Sequence, residues 1–154
     1  MSLPATVRLL KPPARLPALV ARPGGMTRDA AIARAEQRLE AQRGPAMKVI
    51  GIFITTLEAM VTPPLMPAQL TEISRVTDRL IALAEIYALD GLAEAGKRLC
   101  DLAATFTEAR AIHTASLAVH VRALRLMAMD QPPDGVLAEL DKVLAHFGAQ
   151  RLDQ

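Results

Sequence analysis

Apolar residues recur at three- and four-residue spacings along most of the chain, the period of helices that bury one stripe each. Met47, Ile50, Ile54, Leu57 and Val61 make one run, and Leu70, Ile73, Val76, Leu80, Leu83, Ala84 and Tyr87 the next. Leu92, Ala95, Leu99, Leu102 and Phe106 follow, then Ile112, Ser116, Val119, Ala123, Leu126 and Met127 over about 108–129. A last run holds Val136, Leu137, Leu140, Val143, Leu144 and Phe147. Ahead of them all, Ile32, Ala35 and Leu39 form a thinner stripe.

Breakers separate these runs. "RGP" at 43–45 is expected to end a first helix that Thr27 caps, and "TPPLMP" at 62–67 reads as a rigid linker. "DG" at 90–91 is expected to turn the chain, and "DQPPDG" to break it again before the last helix. "VIGIFITT" at 49–56 has the β-branched density of a strand, but its helical spacing and the want of a pairing strand favour helix. The pattern therefore predicts an all-α fold. An antiparallel four-helix bundle over 67–150 is preceded by a helical pair over 27–61 and by a disordered, Pro/Arg-rich arm over 1–26. The second helix of that pair has a further apolar face in Val49, Ile52, Phe53 and Met60, so it is either central to the fold or an interface.

Composition supports this picture. Three Phe, one Tyr and no Trp leave the core to Leu, Ala, Ile, Val and Met, which suit helix-on-helix packing. A single cysteine, Cys100, excludes an intramolecular disulfide, and its apolar surroundings in sequence suggest a small buried thiol in a reducing, cytoplasmic setting. No apolar stretch is long enough for a membrane span, and prolines interrupt any signal-peptide core near the N-terminus. Residues 1–28 carry a formal +5 with no acid, so the overall +2 leaves about −3 for the remainder. A mildly acidic body of this kind is a poor nucleic-acid platform.

Few residues offer chemistry. His113, His120, His146 and Cys100 lack paired metal-ligand spacing, no glycine-rich phosphate cradle occurs, and no serine sits in a nucleophile elbow. No cofactor is expected. Glu72, Asp78, Glu85 and Asp90 read as a solvated face partly paired to Arg75 and Arg79. His113 and His120, seven residues apart, are expected to share a helical face bordering the apolar stripe, where a histidine packs more often than it reacts.

"LIALAEIYALDGLAEAGKRLCDLAATF" with "AVHVRALRLM" resembles the small chemotaxis accessory proteins called CheE, and "PGGMTRDAAIARAEQRLE" resembles that family's entry to its bundle. The resemblance covers roughly residues 22–128 through short, mostly apolar motifs, and the "TPPLMP" segment and the basic arm have no match in it. It implies a signalling context. The same region is similar to histidine phosphotransfer domains, whose "HxxKG" pattern, aligned on Gly91, puts Ile81 at the acceptor position and Ala84 at the lysine position. Both are apolar, which implies a degenerate bundle that binds signalling partners. The expected function is thus a non-enzymatic adaptor of chemotaxis or two-component signalling. Its partner face would be Val49, Ile52 and Phe53, with Arg8, Arg15 and Arg22 attracting an acidic partner, and a homo-oligomer is compatible with that face. The alternative is an active phosphotransfer protein using His120 or His113.

Overall fold

The computed structural model describes residues 25–129 and 133–152, so the expected disorder of the arm falls outside the described residues. The fold is all-α. Five helices run in order among the described residues: α1 (Arg28–Met60), α2 (Pro67–Ile86), α3 (Asp90–Ala109), α4 (Thr114–Ala128) and α5 (Pro133–Leu152).

The expected helical pair is one helix. α1 passes through Gly44 and Pro45 without ending. Proline removes one helical N–H and crowds the carbonyl four residues back. Here residues 41–45 are all exposed, so water can take up the freed carbonyl. From Ala46 onward burial holds the chain helical: Ile50, Ile54 and Leu57 are at most 1% exposed.

The chain divides into two units at 39/40. In the first, Thr27 Oγ1 accepts the Ala30 N–H at 3.3 Å and Asp29 lies in the first turn, where the helix dipole favours an acid. Every described side chain of this unit is exposed. The second unit therefore begins at Glu40, inside α1, and not at 67 as the boundary between a helical pair and a bundle would have it. Its core takes Ile50, Ile54 and Leu57 from α1 together with Leu70, Ile73 and Leu80, Leu99 and Leu102, Leu117 and Leu124, and Leu140.

α2 opens with Pro67 at its first position, and the Met66 N–H donates to Gln69 Oε1 at 2.6 Å. The turn after α2 lies at 87–89, where Ala88 takes a left-handed φ of 53°, and Asp90–Gly91 is instead the start of α3. Asp90 suits that first turn by its charge. α3 ends at Arg110, also left-handed at φ 53°, so the helix expected to begin near 108 begins at Thr114. No glycine marks either turn, which is why the sequence pattern misplaces both.

α3 is the central helix of this unit. It packs on α2, α4 and α5, whereas α4 and α5 touch each other only lightly. Its contact with α2 is close at Gly96, where a Cβ would lie 2.7 Å from Ile81 Cγ1 and 3.5 Å from Thr77 Cγ2. Thr77 is itself wholly buried and gives its hydroxyl to the Ile73 carbonyl at 2.7 Å, so no polar group is stranded there.

Gly96→Val is expected to lower unfolding stability by about 1–3 kcal/mol through overpacking. Leu99→Ala should cost about 2–5 kcal/mol as a cavity substitution. Gly44→Ala, with open space around it, should be neutral or stabilising by up to about 1 kcal/mol. Denaturant titration of the three variants measures all of these.

Candidate functional site

The two histidines named from the sequence occupy opposite environments. His113 does not lie within a helix: it is the N-cap residue of α4 and is exposed. His120, expected at the border of the packing stripe, is wholly buried. The buried face of α4 is Leu117, His120, Val121 and Leu124 with Ser116, Ala123 and Met127, while Val119 and Leu126 are 46% and 45% exposed. The stripe of α4 is thus rotated from the expected one, because a histidine occupies a core position that the pattern leaves to polar residues.

Ser116 joins the two rings. Its hydroxyl lies 2.7 Å from His113 Nδ1, and its carbonyl accepts the His120 Nδ1–H at 2.9 Å. That second bond fixes the tautomer of His120, leaving Nε2 as the lone-pair nitrogen. Nε2 is buried and has no hydrogen-bond partner. Burial holds the imidazole pKa below its ordinary 6.5, the bond to Ser116 opposes this, and the positive charge of Arg98 adds to it. A phosphoryl group would have to reach Nε2 through the packed interior, and a doubly charged product could not be solvated there.

The surroundings of His113 are open. Its ring lies against Phe147 of α5 at 5.3 Å between centroids, and Phe147 meets Phe106 edge-on at 5.0 Å. His113, Ser116, Glu139, Lys142, His146 and Phe147 line a groove of about 490 Å³ between the start of α4 and α5. Lys142 reaches Glu139 one turn away at 2.5 Å. No cluster among the described residues has the donors to hold a metal ion.

Two bidentate ion pairs pin helices around this region. Arg125 of α4 donates through Nε and Nη2 to both Glu58 oxygens of α1, each at 2.6 Å, and Nη2 also reaches Thr55 Oγ1 at 3.2 Å. Arg98 of α3 donates to Asp141 of α5 at 2.6 and 3.1 Å, and to Glu94 at 3.2 Å. Each guanidinium holds its carboxylate partner below the usual carboxylate range. The Arg75–Glu72 pair expected from the sequence forms, while Asp78 lies 3.7 Å from the Cys100 sulfur. Burial, followed by the negative charge of Asp78, pushes the half-buried Cys100 thiol up to about 12, where it is unreactive.

Of the expected partner face, Ile52 is 63% and Val49 38% exposed, whereas Phe53 is half-buried against the core. Arg8, Arg15 and Arg22 lie outside the described residues. Ile81 and Ala84, at the phosphotransfer positions, are packing residues: Ile81 is half-buried over Gly96 and Ala84 is wholly buried. Ser116 falls within the apolar run of α4, and nothing in its spacing marks it as a polar contact. The recurrence of His, Ser and His at 113, 116 and 120 was the one available signal. No helix among the described residues is long and apolar enough to cross a membrane. No family model, curated protein or solved structure matches the chain.

His120 gives stability a pH dependence whose sign follows from its lowered pKa. The unfolded chain binds a proton near pH 6.5 that the folded chain resists. Stability from this group is therefore complete above that pH and declines below it, by at most about 1.4 kcal/mol per pH unit. Denaturant midpoints should fall for the wild type between about pH 7.5 and about pH 5, a range that brackets the ordinary histidine pKa. The slope should be smaller in His120→Leu, and equal slopes would place the acid sensitivity elsewhere.

Proposed function

We propose that the chain is a non-enzymatic regulator or adaptor of bacterial chemotaxis or two-component signalling, as its resemblance to the CheE proteins implies, and that it works in the cytoplasm. It binds a signalling protein through the outer face of α1. The observation that carries this reading is the exposure of Val49 and Ile52 on a helix whose opposite side is anchored in the core. Adjacent branched apolar side chains on a rigid helix offer a partner buried area at little entropic cost. Cationic Arg8, Arg15 and Arg22 add a salt-sensitive attraction to an acidic partner. Packed Ile81 and Ala84 at the phosphotransfer positions also support a binding role over group transfer.

The test is titration of the labelled chain with purified chemotaxis response regulators, kinase and receptor fragments from the same organism. Ile52→Glu should weaken binding at least about tenfold, a loss of roughly 1.4 kcal/mol, with melting unchanged because the side chain is largely in solvent. Phe53→Glu is the poorer probe, since its half-buried ring packs on the core and the variant should be destabilised. Absence of binding to every such protein would refute the reading.

A second reading rests on His113. Its ring is exposed, oriented by Ser116 through Nδ1, and shares a groove with Lys142, a cation suited to an incoming phosphoryl group. If the chain relays phosphate, His113 Nε2 is the acceptor and His120 is not. Incubation with a phosphorylated response regulator, under conditions that preserve phosphohistidine, distinguishes the readings. Label lost in His113→Gln but kept in His120→Gln would favour phosphotransfer over binding alone.

A further inference from the structure

Between the start of α2 and the end of α3 lies a cavity of about 360 Å³, within the size range of small-molecule sites. All of it belongs to the second unit. Pro67, Leu70, Phe106 and Ile112 give it apolar walls, of which Leu70 and Phe106 are buried and Ile112 half-buried. Thr107 and Arg110 complete the lining. The Thr107 hydroxyl donates to the Ala103 carbonyl at 2.8 Å, so its proton is already placed. Arg110 is exposed at the rim and has no hydrogen bond or ion pair among the described residues. Its backbone is left-handed, at φ 53°. Glycine is favoured at such a helix end, because a β-carbon is strained there. The chain thus holds a cation at the mouth of an apolar cavity, in a conformation that glycine would adopt more easily.

We propose that this cavity binds a small molecule with an apolar body and a single carboxylate, of the kind of a medium-chain fatty acid. The body lies against Leu70, Phe106 and Ile112, and the carboxylate takes the Arg110 guanidinium through paired N–H donors. The lining selects this class. Arg110 is its only charged residue, so it repels a cation, and a neutral apolar molecule leaves the guanidinium unused. A sugar or nucleotide would bury polar groups against walls that have no partners for them. The charged groups nearby belong to other surfaces. Glu108 lines the adjoining hollow with Thr71, Ser74 and Ala104, and it has an interaction of its own. Glu72 is paired to Arg75, and the Glu139–Lys142 pair lines the groove beside His113 and Phe147.

This site does not rest on the partner face at Val49 and Ile52. The test is calorimetric titration of the full chain with hexanoate, octanoate and decanoate below their micelle concentrations, with octanol as the uncharged control. Binding should saturate at one site per chain, and affinity should rise up to about fourfold per added methylene until the cavity is filled. Octanol should bind at least about tenfold more weakly than octanoate. Arg110→Gln should weaken octanoate at least about tenfold and leave octanol alone, with Arg110→Lys between the two. Both substitutions keep the same left-handed β-carbon, so their difference reads the charge and not the fold. Arg110→Gly, which relieves the strain, should lose octanoate without a lower melting temperature. On adding octanoate, the methyl resonances of Leu70 and Ile112 should shift, and that of Leu92, at the other end of α3, should not. No saturable binding, octanol as tight as octanoate, or equal affinities in Arg110→Gln and Arg110→Lys would overturn the proposal. So would shifts confined to the groove at His113 and Phe147.

Discussion

The distance between α2 and α3 at Gly96 is the constraint on which the packing of the second unit depends. Helices with no sheet to share hydrogen bonds can reinforce one another only through side-chain packing at a fixed separation. α3 carries Ala93, Ala95, Gly96 and Ala103 among its buried positions, so its neighbours approach closely, and Leu92, Leu99, Leu102 and Phe106 fill the spaces between. Ile81 packs directly over Gly96, in the place that the phosphotransfer pattern gives to a reactive histidine. A branched apolar side chain is what a close helix crossing requires, and an exposed nucleophile is what it excludes. The same contact that holds the fold together thus removes the chemistry from that helix.

Much of the fold was legible because its helices are amphipathic in the ordinary way. Ile50, Ile54, Leu57 and Val61, then Leu70, Ile73, Val76 and Leu80, are buried as their spacing requires. The pattern misled where a local signal and a tertiary one disagreed. Gly44–Pro45 reads as a stop, but burial from Ala46 onward outweighs it. Ala88 and Arg110 turn the chain in a left-handed conformation with no glycine to announce it, so the pattern starts α4 too early and misaligns its stripe. The spacing assigns the exposed Val119 and Leu126 to the core, and the buried His120 to an edge.

The site was less legible than the fold for a related reason. A residue's type says little about burial when its polar atoms can be satisfied locally. The Ser116 carbonyl, four residues earlier on the same helix, takes the Nδ1 proton of His120 and makes a neutral imidazole tolerable inside the core. No sequence spacing distinguishes that histidine from one in solvent. His113 differs only in standing before the first turn of α4, and the turn at Arg110 that puts it there is itself invisible in the pattern.

Arg125 and Arg98 explain how an open edge can coexist with a fixed core. Each is bidentate to a carboxylate on another helix, so each sets the register of two elements as well as attracting them. Arg125 ties α4 to Glu58, near the end of α1, and Arg98 ties α3 to Asp141 in the middle of α5. Arg125, Glu58 and Asp141 are largely in solvent and only Arg98 is mostly covered, and an ion pair so open to water adds little stability. Their contribution is geometric. The outer side of α1 from Val49 to Ile52 is held at a definite angle to α4 without being covered, which is the condition for a surface that a partner can recognise. Rotating α1 to bury Ile52 would bring Ile50, Ile54 and Leu57 into solvent, so the exposure of Ile52 follows from the apolar stripe opposite it. The Glu58–Arg125–Thr55 contact on the α4 side of α1 agrees with that setting and adds direction to it.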